Sequence, residues 1–237
     1  MISLAYITDL HLDEKTPADL GADARGNWNR IFNDLAKHEL DMLVLGGDIG
    51  EVSGLRDLAT MLQGYDWHVT PGNHDIRGQL RNWYRNRALE SQSAIYFSVD
   101  AEGHRLIFLD SSPDMVELEQ LQWLRTQVQT ELPLIVFIHH PVLPVDTWVD
   151  KQYPLKNRGA VKNILHTHEG DVTIFCGHYH MDHVQTVDNI TQYVSPAASF
   201  QIQQDPDTFV ADTSKTAYQL IHISDGTVQR ELVEIPL

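Results

Sequence analysis

Ile2-Ser3-Leu4-Ala5-Tyr6-Ile7-Thr8-Asp9-Leu10-His11 is the stretch on which the reading of this chain turns. Ile2–Ile7 reads as a buried strand, and polar groups arrive just past its end. If the strand runs on to residue 11, period-2 alternation puts Asp9 and His11 on one face. That offers one metal ion an oxygen and a nitrogen donor. An Asp-x-His alone is commonly a solvent-facing pair, so its weight comes from what repeats downstream.

The same arrangement recurs four times. Met42–Leu45 reads as a strand closed by Gly46-Gly47-Asp48. The glycines let the backbone turn tightly near bound ions, and a carboxylate can bridge two cations with its two oxygens. Trp67–Thr70 runs into Pro71-Gly72-Asn73-His74-Asp75, which supplies an amide oxygen, a proton donor and a carboxylate. Its bland reading is an Asx turn. Leu134–Ile138 precedes His139-His140-Pro141, and Val172–Phe175 precedes Cys176-Gly177-His178-Tyr179-His180. An extended His-x-His would place both imidazoles on one side. Each candidate group thus follows the C-terminal end of a predicted strand, the edge at which α/β sheets build their sites. The donors are oxygen and imidazole without sulfur, a set that suits Mn, Fe, Zn, Co or Ni rather than a structural zinc knot.

Between these strands, apolar residues recur at helical spacing over Gly26–His38, Leu55–Leu62, Gln79–Arg87, Glu117–Thr130 and Gly159–His168. Ile95–Val99 and Arg105–Leu109 read as a hairpin. Beyond residue 180 only strands are expected, at Val184–Val187, Gln192–Val194, Tyr218–Ile223 and Val228–Glu234, the last two joined by a turn at Asp225-Gly226. Strand–helix alternation followed by hairpins predicts an α/β fold of two packed sheets with helices outside. No repeat, low-complexity tract or linker interrupts it, so residues 1–237 read as a single domain. Asp146–Lys156 and Asp205–Lys215 are polar and rich in turn formers, and read as long loops, the first of them mobile.

The 237 residues, 42% of them hydrophobic, suffice for one substantial core. Lys+Arg number 17 against 33 Asp+Glu, a net charge of −16 that repels nucleic-acid backbone, so no nucleic-acid partner is expected. Bound cations would offset part of that charge. The single cysteine, Cys176, allows no disulfide within the chain and fits a reducing compartment. No basic stretch precedes the first strand, and the longest apolar run, residues 132–138, is too short for a bilayer. A soluble, cytoplasmic protein without a membrane partner is the expectation.

Taken in order, Asp9-x-His11, Gly47-Asp48, Gly72-Asn73-His74-Asp75, His139 and Gly177-His178-x-His180 resemble the motif blocks of the calcineurin-like metallophosphoesterase superfamily. The likeness spans roughly residues 1–200. Leu109-Asp110-Ser111-Ser112, Ile138-His139-His140-Pro141, Phe175-Cys176-Gly177-His178 and Ser195-Pro196-Ala197-Ala198-Ser199-Phe200 are most similar to the class III cyclic nucleotide phosphodiesterase and glycerophosphodiesterase group. The resemblance implies a four-layer αββα sandwich of two mixed β-sheets and two metal ions per chain, drawn from Mn, Fe, Zn or Co. Asp9, His11, Asp48 and His180 would hold one ion. Asp48, Asn73, His139 and His178 would hold the other, with Asp48 bridging and His140 behind His139. Two such ions lower the pKa of a shared water, and the resulting hydroxide attacks phosphorus in line. His74 would donate a proton to the leaving alkoxide, while Asp75 orients its ring or braces the loop. Asn73, His74 and Trp148 would line the pocket for a small phosphoester. The implied activity is that of a phosphodiesterase on a cyclic nucleotide or small diester. A phosphomonoesterase or nucleotide pyrophosphatase on the same site is the alternative. A non-catalytic scaffold on this fold would have lost ligands, and here none is missing. A homodimer is left open.

Overall fold

Two mixed sheets stack face to face, and their C-terminal strand ends meet at one edge. The computed structural model describes residues 1–84, 93–205, 207–224 and 226–237. In chain order the elements are β1 (Ile2–Ile7), α1 (Lys15–Asp19), α2 (Ala24–Leu35), β2 (Met42–Leu45), α3 (Val52–Met61), β3 (Trp67–Val69), α4 (Arg77–Trp83), β4 (Phe97–Ala101), β5 (His104–Phe108) and α5 (Leu118–Gln127). They continue with β6 (Leu134–Phe137), α6 (Trp148–Gln152), α7 (Arg158–Leu165), β7 (Val172–Cys176), β8 (His183–Val187), β9 (Ile190–Val194), β10 (Gln201–Ile202), β11 (Ala211–Asp212), β12 (Lys215–Ser224) and β13 (Thr227–Pro236).

The first sheet has the order β13-β12-β1-β2-β3 and the second β4-β5-β6-β7-β9-β8. β1, β2 and β3 run parallel, and β12 and β13 close that sheet antiparallel. β5, β6, β7 and β9 run parallel between antiparallel β4 and β8. Strands buried on both faces carry the continuous apolar runs seen in the sequence. On the inner face Tyr6 stacks on Phe137 with ring centroids 5.8 Å apart. Phe97, Phe108, Phe137, Phe175 and Tyr193 form a ladder across the second sheet at centroid spacings between 4.4 and 5.7 Å. Ile107, Val136 and Ile174, one residue out of phase, pack with Leu124 of α5 and with Val161, Ile164 and Leu165 of α7. Trp28, Ile31 and Leu35 of α2 and Leu55 and Leu58 of α3 are buried with the first sheet. The result is the four-layer αββα sandwich with mixed sheets. Among the described residues no helix is long and apolar enough to cross a membrane.

Several local expectations change. The predicted strand Ile95–Val99 begins at Phe97, because the Ile95 N–H donates to the Asp110 carboxylate (2.9 Å) instead of entering the ladder. Asp146–Lys156 is not irregular throughout. It carries α6, whose N-cap Thr147 accepts a hydrogen bond from the Asp150 N–H at 3.1 Å. Within Asp205–Lys215, Ala211–Asp212 pairs with β10. The helix expected over Gln79–Arg87 is α4, ending at Trp83, and residues 85–87 lie outside the described residues. So do Pro206 and Asp225 of the predicted loop and turn, although Ser224 and Thr227 pair directly.

Candidate active site

The loops after β1, β2, β6 and β7 converge at the C-terminal edge and bring Asp9, His11, Asp48, His139, His178 and His180 together, all buried, and the loop after β3 adds Asn73, His74 and Asp75 beside them. The expected extended alternation at Asp-x-His and His-x-His is not what aligns them. β1 stops at Ile7, and Asp9 and His11 have φ of +55° and +45°. His178 and His180, at +69° and +50°, and Asp48, at +51°, share this left-handed backbone. The chain folds over the sheet edge at each of them instead of running on. Such conformations cost about 1–3 kcal/mol each in a non-glycine residue and persist only where the surroundings over-determine them. Here Asp9 N–H donates to Gly47 O (3.0 Å) and His11 N–H to Asp48 O (2.9 Å). Ala198 N–H donates to Thr8 O (2.9 Å), and Ser199 N–H to Asp9 O (3.1 Å). The strained loops are therefore stitched to one another and across both sheets.

The hydrogen bonds fix which ring nitrogens remain available. Carbonyl and carboxylate oxygens only accept, so each ring nitrogen facing one carries the proton. His139 Nδ1 donates to Gly46 O (2.8 Å), His180 Nδ1 to Phe200 O (2.8 Å), His178 Nε2 to Tyr153 O (2.9 Å) and His11 Nδ1 to Glu14 Oε2 (3.0 Å). Each imidazole thus spends one nitrogen on an outer partner and turns the other inward, the arrangement of metal-ligating histidines. The inward Nε2 atoms of His11 and His180 lie 3.2 Å apart. That is the spacing of two nitrogens sharing one ion at about 2.0–2.1 Å. Asp9 Oδ1 and His139 Nε2 are buried and make no hydrogen bond; each faces an ionisable group of opposite sign at 3.3 Å, His180 Nε2 and Asp48 Oδ2 respectively, and a cation between them would satisfy both. Donor atoms of Asp9, His11 and His180 lie within 4.8 Å of one another, as do those of Asp48, His139 and His178. Asp48 Oδ2 is 3.3 Å from His139 Nε2 and 3.8 Å from His11 Nε2, so it reaches both groups. These residues fit two divalent ions.

Electrostatics agrees. Burial pulls the His139 ring down, but Asp48 outweighs it and holds the ring up to about 10. Burial likewise opposes ionisation of Asp48, yet the His139 charge keeps its carboxyl well below the usual range. Without ions the acids hold protons on their imidazole neighbours, and a bound cation takes the place of that proton. Burial drives His178 down to about 4, leaving it neutral and ligand-ready.

Asn73 is exposed and lines the same cavity of about 310 Å³ beside His11, Asp48 and His74. Trp148, Tyr153, Phe200 and Phe209 supply its aromatic lining, with the Phe200 ring centroid 4.5 Å from that of His180. His140 is buried with Nδ1 2.8 Å from Ser111 Oγ, and its ring centroid is 4.2 Å from that of His178, so it sits behind the donor groups. Asp75 does not orient the His74 ring. Its oxygens accept from the backbone N–H groups of Asp48 (2.8 Å), Ile49 (2.9 Å) and Gly72 (2.9 Å), bracing one loop against the next. The partner of the His74 ring is Glu14, unforeseen in the sequence, whose Oε2 accepts from His74 Nδ1 at 2.9 Å. That bond chiefly lifts His74 to about 9, and the bonds from His11 and His74 overcome burial and hold Glu14 at about 2. An Asp-x-His-x-x-Glu spacing was visible, but a turn at Asp13 decides that Glu14 points back. Phe209 was unforeseen as well, since a distant loop brings it to Trp148 (centroids 5.8 Å apart).

A family model described as calcineurin-like phosphoesterase matches residues 2–182. A probable cyclic nucleotide phosphodiesterase of Fibrobacter succinogenes is 25% identical, over 98% of this chain and 93% of its own length. The 3′,5′-cyclic adenosine monophosphate phosphodiesterase CpdA of Haemophilus influenzae is 23% identical, over 99% and 90%. Among solved structures, a dimetal phosphatase from Danio rerio superimposes with a TM-score of 0.76 at 14% identity, covering 99% of this chain and 98% of that one, and so shares the fold. The paired donor groups at the strand ends and the match over residues 2–182 together establish that this chain belongs to the calcineurin-like phosphoesterase family.

Proposed function

We propose that this metallophosphoesterase, acting as a single domain, is a phosphodiesterase that hydrolyses a small diester, with a cyclic nucleotide as its substrate. The observation that carries the two-ion reading is the set of inward-facing donors around Asp48, above all the buried Asp9 Oδ1 and His139 Nε2, which make no hydrogen bond. Asp9, His11, Asp48 and His180 would hold one ion, and Asp48, Asn73, His139 and His178 the other. Oxygen and imidazole donors favour Mn, Fe, Zn or Co. When bound, the ions supply Lewis-acid neutralisation of the phosphate oxygens and an acidified water as nucleophile.

The chain's own residues do the rest. Asn73, at the cavity wall, offers its amide to a phosphate oxygen. His74, protonated at Nδ1 toward Glu14, presents Nε2–H to the departing alkoxide, a contribution typically worth about 10²–10⁴-fold. Trp148 and Phe209 supply flat apolar surface for a nucleobase. The similarity to relatives named as cyclic nucleotide phosphodiesterases supports the same substrate class. A net charge of −16 disfavours polynucleotides. The lone buried thiol, Cys176, agrees with a cytoplasmic setting.

A panel of cyclic AMP, a glycerophosphodiester, bis(4-nitrophenyl) phosphate and 4-nitrophenyl phosphate, run with each of Mn²⁺, Fe²⁺, Zn²⁺ and Co²⁺, tests the proposal. Faster turnover of the diesters, cyclic AMP among them, is expected. Equal or faster turnover of the monoester refutes the diesterase reading.

A further inference from the structure

We infer that Glu14 is a positioning residue whose single carboxylate oxygen ties the rings of His11 and His74 together, so that His74 Nε2 is held toward the leaving group. Oε2 lies 3.0 Å from His11 Nδ1 and 2.9 Å from His74 Nδ1. The two rings meet edge-to-face, with centroids 4.8 Å apart at 83°. Because the carboxylate only accepts, both rings donate to it from Nδ1. The His11 proton is then fixed away from the donor group of Asp9 and His180, and the His74 proton that remains free is on Nε2.

His74 needs such a support. Its side chain is 42% exposed, against 12% for Glu14, and the bond to Glu14 is its ring's hydrogen bond among the described residues. An unsupported ring at that exposure samples several rotamers, and a misdirected general acid loses its contribution.

The local backbone is built to deliver Glu14 there. Leu12 pairs with Gly50, and Asp13 at φ +65° turns the chain back toward the site. Arg25 and Ser53 both grip the Asp13 carboxylate. Glu14 occupies the N-cap position of α1, where a carboxylate could serve the exposed helix N–H groups, yet it makes no capping hydrogen bond. Its charge is committed to the two histidines instead. His11, Glu14 and His74 also lie close enough to hold a cation, but both Nδ1 atoms are already spent on Glu14, which favours the positioning role.

The inference rests on the reading of His74 as the acid for the leaving group, and the test separates the two. Glu14→Ala, Glu14→Gln, His74→Ala and the double variant Glu14→Ala/His74→Ala are assayed on cyclic AMP, whose alkoxide needs a proton, and on bis(4-nitrophenyl) phosphate, whose phenolate does not. Metal content is measured on each protein by elemental analysis. Glu14→Ala is expected to lower kcat on cyclic AMP roughly 10–100-fold, a part of the about 10²–10⁴-fold that a well-placed general acid supplies. It should leave KM and turnover of the nitrophenyl diester nearly unchanged and retain two ions per chain. Glu14→Gln, whose amide oxygen still accepts, should recover part of the loss. The double variant should be no slower on cyclic AMP than His74→Ala. Equal losses on both substrates with metal loss would mean that Glu14 acts through His11, and would overturn the inference. So would additive effects in the double variant. If His74→Ala depends on the leaving group and Glu14→Ala does not, Glu14 alone is refuted. If His74→Ala shows no such dependence, the acid assignment itself falls, and the positioning role with it.

Discussion

Replacing Gly72 by alanine tests how tightly the strand-end loops are locked around the metal centre. A Cβ at Gly72 would fall on Asp48 Oδ1 and come within 2.6 Å of the Asp48 backbone nitrogen. Neither atom can retreat freely. The nitrogen donates to Asp75 Oδ2 (2.8 Å), and Oδ1 accepts from His74 N–H (2.9 Å). Overpacking and the loss of one charge-assisted hydrogen bond together cost about 3–5 kcal/mol. For a chain of this length that lowers the melting temperature by roughly 6–20 °C. Because Asp48 is the proposed bridging ligand, metal uptake should fall in parallel. Gly159→Ala is the control. Its Cβ meets nothing within 4 Å, in the first turn of α7, so it should gain about 0.4–1 kcal/mol. Thermal unfolding by circular dichroism and Mn²⁺ content, measured on both variants, are the assays. A Gly72→Ala protein that melts with the wild type and binds the same metal would refute the packing argument.

Other expectations follow from single contacts. Asn73→Ala should lose most activity while its melting temperature hardly moves, since Asn73 is exposed; kcat together with a melting curve checks both halves. Asp150→Ala should destabilise the protein by about 1–3 kcal/mol in urea unfolding, because it leaves the Tyr179 hydroxyl and Arg158 without their shared carboxylate. It should also raise KM, since α6 carries Trp148 to the cavity and Tyr153 O follows it to hold His178. In protein stripped of metal, the Glu14–His74 pair sets a stability window. Glu14, lowered from 4.5 to about 2, contributes fully above pH 4.5 and progressively less as pH falls toward 2. His74, raised from 6.5 to about 9, contributes fully below pH 6.5 and is lost as pH rises toward 9. The melting difference between wild type and Glu14→Gln should therefore peak between pH 4.5 and 6.5 and shrink on both sides. A difference constant across pH would contradict this.

The donors were legible because their chemistry is local. Asp9, His11, Asp48, Asn73, His139, His178 and His180 all sit just past apolar runs short enough to be strands, and strand ends at one sheet edge converge whatever the details of packing. The backbone that aims them was not legible. Period-2 alternation at Asp9-x-His11 and His178-x-His180 was the natural guess for a continuing strand, but all four of these residues, and Asp48 with them, take left-handed conformations, in loops held by hydrogen bonds to distant chain. Glu14 was missed for the same reason: its direction depends on the φ of Asp13 and on the grip of Arg25 and Ser53. Trp148 was visible only as a loop aromatic. The helix carrying it was signalled by Thr147-x-x-Asp150, the spacing of a capping box, though its partner Phe209 lies far along the chain. The two large sheets were readable from apolar runs alone, but not every boundary was. The strand expected from Ile95 starts at Phe97 because the Asp110 side chain claims the Ile95 N–H, β12 starts at Lys215 instead of Tyr218, and the short β10–β11 pair was not foreseen.

The central claim is a pair of ions shared through Asp48. Titration of metal-free protein with Mn²⁺, followed by elemental analysis and by hydrolysis of bis(4-nitrophenyl) phosphate, tests it most directly. Two ions per chain are predicted, with activity that appears as they bind and is abolished by chelation, whereas Asp48→Ala retains fewer than two and is inactive. A wild-type protein that saturates at one ion or none, or that stays active after chelation, would contradict the account.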